Sequence, residues 1–262
     1  MALFGDLTSP QLAEVIARDP LALLPIGQLE EHGRHLPVST DLVIAERVVR
    51  AAAEGLRDAE CLVLPAVWSG YSGKELAKWP GTIRLRTRVF ADMVFDVVRS
   101  LTDMGIRKVV TVNGHGHHPA ILEMVAREIA DETGIYIACV DVAKMAAPAV
   151  ARYRKSEPGG CIHGGEFETS LMLYLGAAVD MAQAHGDDLF RYSSVNVPAD
   201  GFAGGKRVFW STWGIQRSKT GIYGDPTVAS AETGQLIFVE AVANLVGFCR
   251  EYHGSIPADW SD

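Results

Sequence analysis

The chain has 262 residues, 48% of them apolar and 21% charged, and a formal net charge of −8. That length supports one substantial core, and the composition excludes a disordered or fibrous chain. The acidic excess argues against nucleic acid as a partner, because phosphate binding needs clustered Lys and Arg.

Ser9 to Arg18 reads as a short helix, capped by Ser9 with Pro10 at its first position. The apolar run Leu21 to Ile26 reads as a buried strand, Ile44 to Leu56 has helical periodicity, and Cys61 to Pro65 is a second short strand. Thr87 to Met104 is a long amphipathic helix ended by Gly105. Lys108 to Val112 is a β-branched strand stopped by Asn113-Gly114, Pro119 to Thr133 is a helix, and Ile135 to Val142 is again a strand. This repeated order predicts a mainly parallel sheet covered by helices on both faces. The second half is less regular. Thr169 to Leu175 reads as a helix, Ser193 to Asp225 as a long functional loop or flap, and Ala231 to Tyr252 as a terminal helix. With no internal repeat or linker, residues 1–262 are expected to form one domain.

Cys61, Cys139, Cys161 and Cys249 make no C-x-x-C pair, and reduced, buried thiols are expected. No signal-peptide pattern is visible, and no apolar run reaches the ~18–20 residues that cross a bilayer. A cytoplasmic protein without membrane contact is therefore expected.

Three stretches carry chemistry. In Gln28-Leu29-Glu30-Glu31-His32-Gly33-Arg34-His35, followed by Asp41, carboxylates and imidazoles crowd the end of a predicted strand. Ligands of open α/β sheets bind beyond such ends, and this donor set suits zinc, manganese or iron(II). Asp41 at a helix start can offer one oxygen to each of two metals; as a plain helix cap it would need no metal. In Asn113-Gly114-His115-Gly116-His117-His118 three histidines lie among glycines, again after a strand. The glycine spacing is not that of a dinucleotide site, while solvent-exposed histidines remain an alternative. In His163-Gly164-Gly165-Glu166-Phe167-Glu168, the pair His163 and Glu166 suits proton transfer or metal ligation, whereas Glu168 is equally explained as an acid in a first helical turn.

Taken together, Glu30-x-His32-Gly33 with Asp41, Asn113-Gly114-His115-Gly116, and His163-Gly164-Gly165-Glu166-x-Glu168-Thr169-Ser170 resemble the motifs of the creatininase family. Trp79-Pro80-Gly81-Thr82-Ile83, Gly224-Asp225-Pro226-Thr227 and Glu232-x-Gly234 are similar to that family's further signatures, in order along nearly the whole chain. The resemblance implies a three-layer α/β/α sandwich, often a homo-hexamer, and a hydrolase using two divalent metals (Zn, Mn or Fe(II)) per subunit. It implies that Glu30 and His115 hold one metal, His32 the other, and Asp41 both. His163 would be the acid/base residue, in relay with Glu166, while Glu168 or Glu31 would orient the ligand histidines.

Some positions depart from the pattern. His117 stands where creatinine-cleaving members carry a glutamate ligand, so His117 or Glu166 is expected to complete the second site. Glu31 replaces a more usual glutamine, and Leu76 a common histidine. Ser72, Trp79, Gly116, Trp210, Trp213 and Tyr223 are candidate substrate contacts, the aromatics lying mostly in the flap. The expected reaction is cleavage of a cyclic amide C–N bond in a small polar molecule. Ring opening of a cyclic diketone such as a dehydro-inosose, with Ser211 and Thr212 offering hydroxyls to a polyol, and trimming of a cofactor-precursor peptide are alternatives. No G-x-S-x-G elbow offers a rival nucleophile.

Overall fold

The computed structural model describes residues 1–202, 204–205, 207–210 and 214–255. Its middle layer is a five-stranded parallel sheet in the order β1-β3-β2-β4-β5. The strands are β1 (Ala2–Leu3), β2 (Leu21–Ile26), β3 (Cys61–Val63), β4 (Lys108–Asn113) and β5 (Ala138–Asp141). All six residues of β2 and all six of β4 are buried, as a sheet covered on both faces requires.

The strand period of two divides these residues between two cores. Leu21, Leu23, Val110 and Val112 point to one side, where they meet α2 (Thr40–Gly55), α5 (Val142–Tyr153), α6 (Glu166–Tyr174) and α7 (Ala231–Ser255). Ala22, Leu24, Ile26 and Val109 point to the other, where they meet α1 (Ser9–Ile16), α3 (Thr87–Asp103) and α4 (Pro119–Thr133). The result is the expected α/β/α sandwich.

The structure corrects several local readings. Thr8, not Ser9, caps α1: its backbone N–H and its hydroxyl both donate to Gln11 Oε1, a reciprocal cap that Ser9, already helical, cannot make. Helix α2 starts at Thr40 and α6 at Glu166, each several residues before the apolar period becomes visible. Helix α5 was not expected at all. Pro148 sits inside it, and Asp141 opens it by accepting from Ala143 N–H at 3.1 Å. The expected flap is not wholly irregular, since β7 (Tyr223–Gly224) pairs antiparallel with β6 (Cys161–His163). None of the four cysteines forms a disulfide. Among the described residues no helix is long and apolar enough to cross a membrane.

Candidate metal centre

The carboxyl ends of β2 and β4 lie side by side, Ile26 paired with Asn113, and the first turn of α2 presses against both. Two glycines permit that approach. A Cβ on Gly27 would fall 2.4 Å from Leu42 Cα, and one on Gly114 would fall 2.4 Å from the Asp41 carbonyl oxygen. Asp41 is thereby pushed between the segment after β2, which carries Glu30 and His32, and the turn after β4, which carries His115. Asn113 fixes that turn by donating to His115 O at 2.6 Å and accepting from His115 N at 3.1 Å.

Asp41 reaches both sides. Its Oδ1 lies 3.1 Å from His32 Nε2 and its Oδ2 lies 2.8 Å from His115 Nδ1. His32 Nδ1 donates to the Glu30 carbonyl at 3.0 Å, which fixes the tautomer with the Nε2 lone pair turned inward. Glu30, fully buried, accepts a short hydrogen bond from the Ser72 hydroxyl on Oε2. Its Oε1 has no hydrogen-bond partner and lies 3.5 Å from His115 Nδ1 and 3.3 Å from His163 Nδ1. Glu168, in the first turn of α6, brings Oε2 to 3.6 Å from His32 Nε2.

Among the described residues, three overlapping sets of atoms could hold a metal ion: Glu30, Asp41 and His115; His32, Asp41 and Glu168; and Glu30, His32 and His163. The first two share Asp41. A buried carboxylate oxygen left without a donor amid imidazole nitrogens is what a cation site requires. The electrostatics agree. Burial works against a charge on His32, yet Asp41 and Glu168 outweigh it and raise the ring well above its ordinary value. Burial likewise opposes a charge on His115, but Glu30 and Asp41 push it up to about 9. Burial raises Asp41, and the two imidazoles more than reverse this, holding it well below the usual carboxylate range. The cluster demands positive charge. Burial lifts Glu168 to about 7 and also raises Glu30.

His163 is held differently. Its Nε2 donates to the Glu31 carbonyl at 2.7 Å, which leaves the Nδ1 lone pair facing Glu30. Burial, reinforced by His32 with ring centroids 4.2 Å apart, keeps it well below its ordinary value and therefore neutral.

The structure separates two expected ligands from the cluster. Glu166 turns away: its oxygens accept from Lys155 N–H and Ser156 N–H, both at 2.7 Å, and so fasten the 155–156 backbone to α6. His117 stays close, its ring 5.2 Å from that of His115, but its Nδ1 accepts from Gly73 N–H at 3.1 Å and it joins none of the three sets. Burial and the neighbouring His115 lower it to about 3. Glu168 is the residue in the candidate set with His32 and Asp41, where Glu166 or His117 was expected. Residues two apart on a helix point to nearly opposite sides, so only one of the two glutamates can face the centre.

The expected substrate contacts divide likewise. Ser72 holds Glu30, and Gly116 is exposed with open space where a Cβ would project. Trp79 is half-buried beneath Lys78. Trp210 is 51% exposed with its ring set edge-on to Tyr192. Tyr223 corrects the expectation: it packs into a small core with Leu76 and Phe190, and its hydroxyl accepts from Ser218 N–H at 3.4 Å. Trp213, with Ser211 and Thr212, lies outside the described residues.

Residues 5–249 match the creatininase family, described as creatinine amidohydrolase. The chain belongs to the creatininase family. It is 32% identical to the creatinine amidohydrolase of Pseudomonas putida over 186 residues, 65% of this chain and 70% of that protein. It is 30% identical to the mycofactocin precursor peptide peptidase of Mycobacterium tuberculosis (strain CDC 1551 / Oshkosh) over 249 residues, 92% of this chain and 89% of that protein. A solved structure described as manganese creatininase superposes with a TM-score of 0.77 at 25% identity, covering 95% of this chain and 97% of that one. The protein is thus a creatininase-family, metal-dependent hydrolase.

One residue beside the centre has a clear pH signature. His35 is buried, with Nε2 3.0 Å from Thr169 Oγ1, and burial, aided by His32, lowers it to about 4. A histidine lowered in the folded state stabilises the fold fully above its ordinary value of 6.5, and that contribution is lost as pH falls towards 4. The stability difference between wild type and His35→Gln should therefore shrink by up to about 3 kcal/mol from pH 7 to 4.5, measured by denaturant unfolding. A difference constant over that range would contradict the assignment.

Proposed function

We propose that the protein hydrolyses the C–N bond of a small, polar cyclic amide with two divalent cations, manganese or zinc, shared by Asp41. The observation that carries this reading is the division of Asp41 between two imidazoles, each within its own set of three ligands. Glu30, Asp41 and His115 would hold one cation, and His32, Asp41 and Glu168 the other. When bound, such a pair polarises a carbonyl and lowers the pKa of a shared water towards neutrality. His163 contributes the proton chemistry. Neutral, and with Nδ1 facing the centre, it is placed to take a proton from the attacking water and hand it to the departing nitrogen. Its Nε2–H bond to the Glu31 carbonyl keeps the ring in that orientation throughout.

A peptide substrate is the second reading, favoured by the peptidase relative that spans 92% of this chain. Ring opening of a cyclic diketone is a further reading, supported by a 3-dehydro-scyllo-inosose hydrolase relative that is 29% identical over 43% of this chain, while the Ser211 and Thr212 hydroxyls lie outside the described residues. The test is a chelator-stripped protein reloaded with manganese or zinc and offered creatinine, other cyclic amides and ureides, short peptides and cyclic diketones. The expected result is metal-dependent ring opening of a cyclic amide. Turnover indifferent to metal removal would overturn the metal chemistry, and cleavage confined to peptides or diketones would overturn the substrate class.

A further inference from the structure

His32 and His163 face each other in the centre, with ring centroids 4.2 Å apart, and each is followed by a glycine. Gly33 comes after His32 and Gly164 after His163, and both hold a left-handed backbone, at φ +74° and +65°. A Cβ on either would fall 2.5 Å from the same atom, the γ2 methyl carbon of Ile222. A Cβ on Gly164 would also lie 3.4 Å from the His32 carbonyl oxygen. One buried methyl group is thus seated between the two turns and meets bare main chain on both sides.

We infer that Ile222 is a positioning residue for the proton chemistry: its γ2 methyl sets the gap between the turn that carries His32 and the turn that carries His163. This inference rests on the role of His163 in the hydrolytic reading above. The two tethers of His163 divide the work. Its Nε2–H bond to the Glu31 carbonyl fixes how the ring is turned, and Ile222 fixes how far the backbone behind the ring stands from that behind His32. A close-packed interior passes such a displacement on to the neighbouring side chains.

Ile222 is itself held on both sides in the chain. Tyr223 pairs with His163 across the β6–β7 ladder. Gly221, at φ +101°, packs so closely on the Glu31 carboxyl group that a Cβ would collide with it. The turn before Ile222 is wrapped round the buried Asp188. Its Oδ2 accepts from Ser218 Oγ, Lys219 N and Thr220 N, each at 2.8 Å, and from Thr220 Oγ1 at 2.6 Å. Ser218 Oγ accepts in turn from Gly221 N–H at 2.8 Å. Charge-assisted bonds of this kind leave the turn little freedom, so Ile222 is a fixed spacer. The shape of its slot makes a prediction that size alone does not. Valine loses the δ methyl but keeps a γ methyl in the same place. Leucine keeps every carbon but branches one atom later, so it leaves the slot empty or fills it with a carbon too wide for it.

The test compares zinc-loaded wild type, Ile222→Val and Ile222→Leu by crystal structure, zinc content, thermal melt, and kcat and KM on creatinine and the other cyclic amides offered above. Ile222→Val should keep the ring separation and kcat of wild type. Ile222→Leu should change the separation by more than about 0.5 Å, the tolerance of a catalytic group, and lower kcat by about tenfold or more, with KM and zinc content little changed. An unchanged separation in Ile222→Leu, or a changed one with wild-type kcat, would overturn the inference. So would activity that follows the melting temperature alike in both variants, which is the mark of a merely structural role. Zinc loss in Ile222→Leu would show that Ile222 supports a metal ligand instead, and would overturn it too. If leucine overpacks the slot and that variant does not fold, Ile222→Ala, which only empties it, replaces it with the same expectations. If wild type turns over none of the cyclic amides, the hydrolytic reading fails, while the ring separation still decides this one.

Discussion

Asp41→Ala is expected to strip both cations from the protein and to lower turnover by at least about three orders of magnitude, while the fold persists. Each Asp41 oxygen faces a different imidazole, so the substitution opens both ligand sets at once. It also removes a carboxylate that raises both His32 and His115, leaving a site with less of the negative charge that favours cations. The helix should tolerate the change. Asp41 is the second residue of α2, its side chain caps no backbone N–H, and alanine is a good helix former. The relevant measurements are metal content by elemental analysis, a thermal melt and kcat. Two bound metals, or turnover near that of wild type, would refute the bridging role. Loss of the folded state would show instead that Asp41 is needed as a counter-charge to buried imidazoles, so Asp41→Asn, which keeps the shape, serves as the companion variant.

The sheet was legible because β2 is a continuous apolar run ended by Gly27, and β4 carries four β-branched residues and is stopped by Asn113-Gly114, which suits strands buried on both faces. Glu30, His32, Asp41 and His115 were legible for a related reason. All four follow the carboxyl ends of two strands that proved to be neighbours, and such ends collect ligands. What the sequence hid was helical phase. With α6 taken to begin at Thr169, Glu166 is a loop residue free to point anywhere, and Glu168 only borders the first helical turn, so their relative directions are not fixed. The Glu166 N–H donates to the Gly160 carbonyl, a contact made across a turn and invisible in a linear pattern, and it starts the helix three residues earlier. Tyr223 was misjudged for a similar reason. An aromatic residue in a glycine-rich stretch looks available to a ligand until the β6–β7 pairing carries it inward against Phe190 and Leu76.

That phase yields the second large effect, a contrast between two glutamates two positions apart. Glu168→Gln should weaken the His32-side cation by roughly tenfold or more and lower kcat with it, because a neutral amide replaces an anionic ligand in a set of three. Its effect on stability should be small, since the amide oxygen can still accept from Gly164 N–H. Glu166→Gln should do the reverse. Each of its oxygens accepts one backbone N–H, so one of the two must become an NH2 facing another donor, at a cost of about 1–3 kcal/mol in a buried site. Metal content and kcat should stay close to wild type at temperatures where that variant is folded. Parallel metal titrations and denaturant melts separate the two patterns. If Glu166→Gln loses the second cation while Glu168→Gln retains it, then α6 turns the other face to the centre and the ligand set proposed here is wrong.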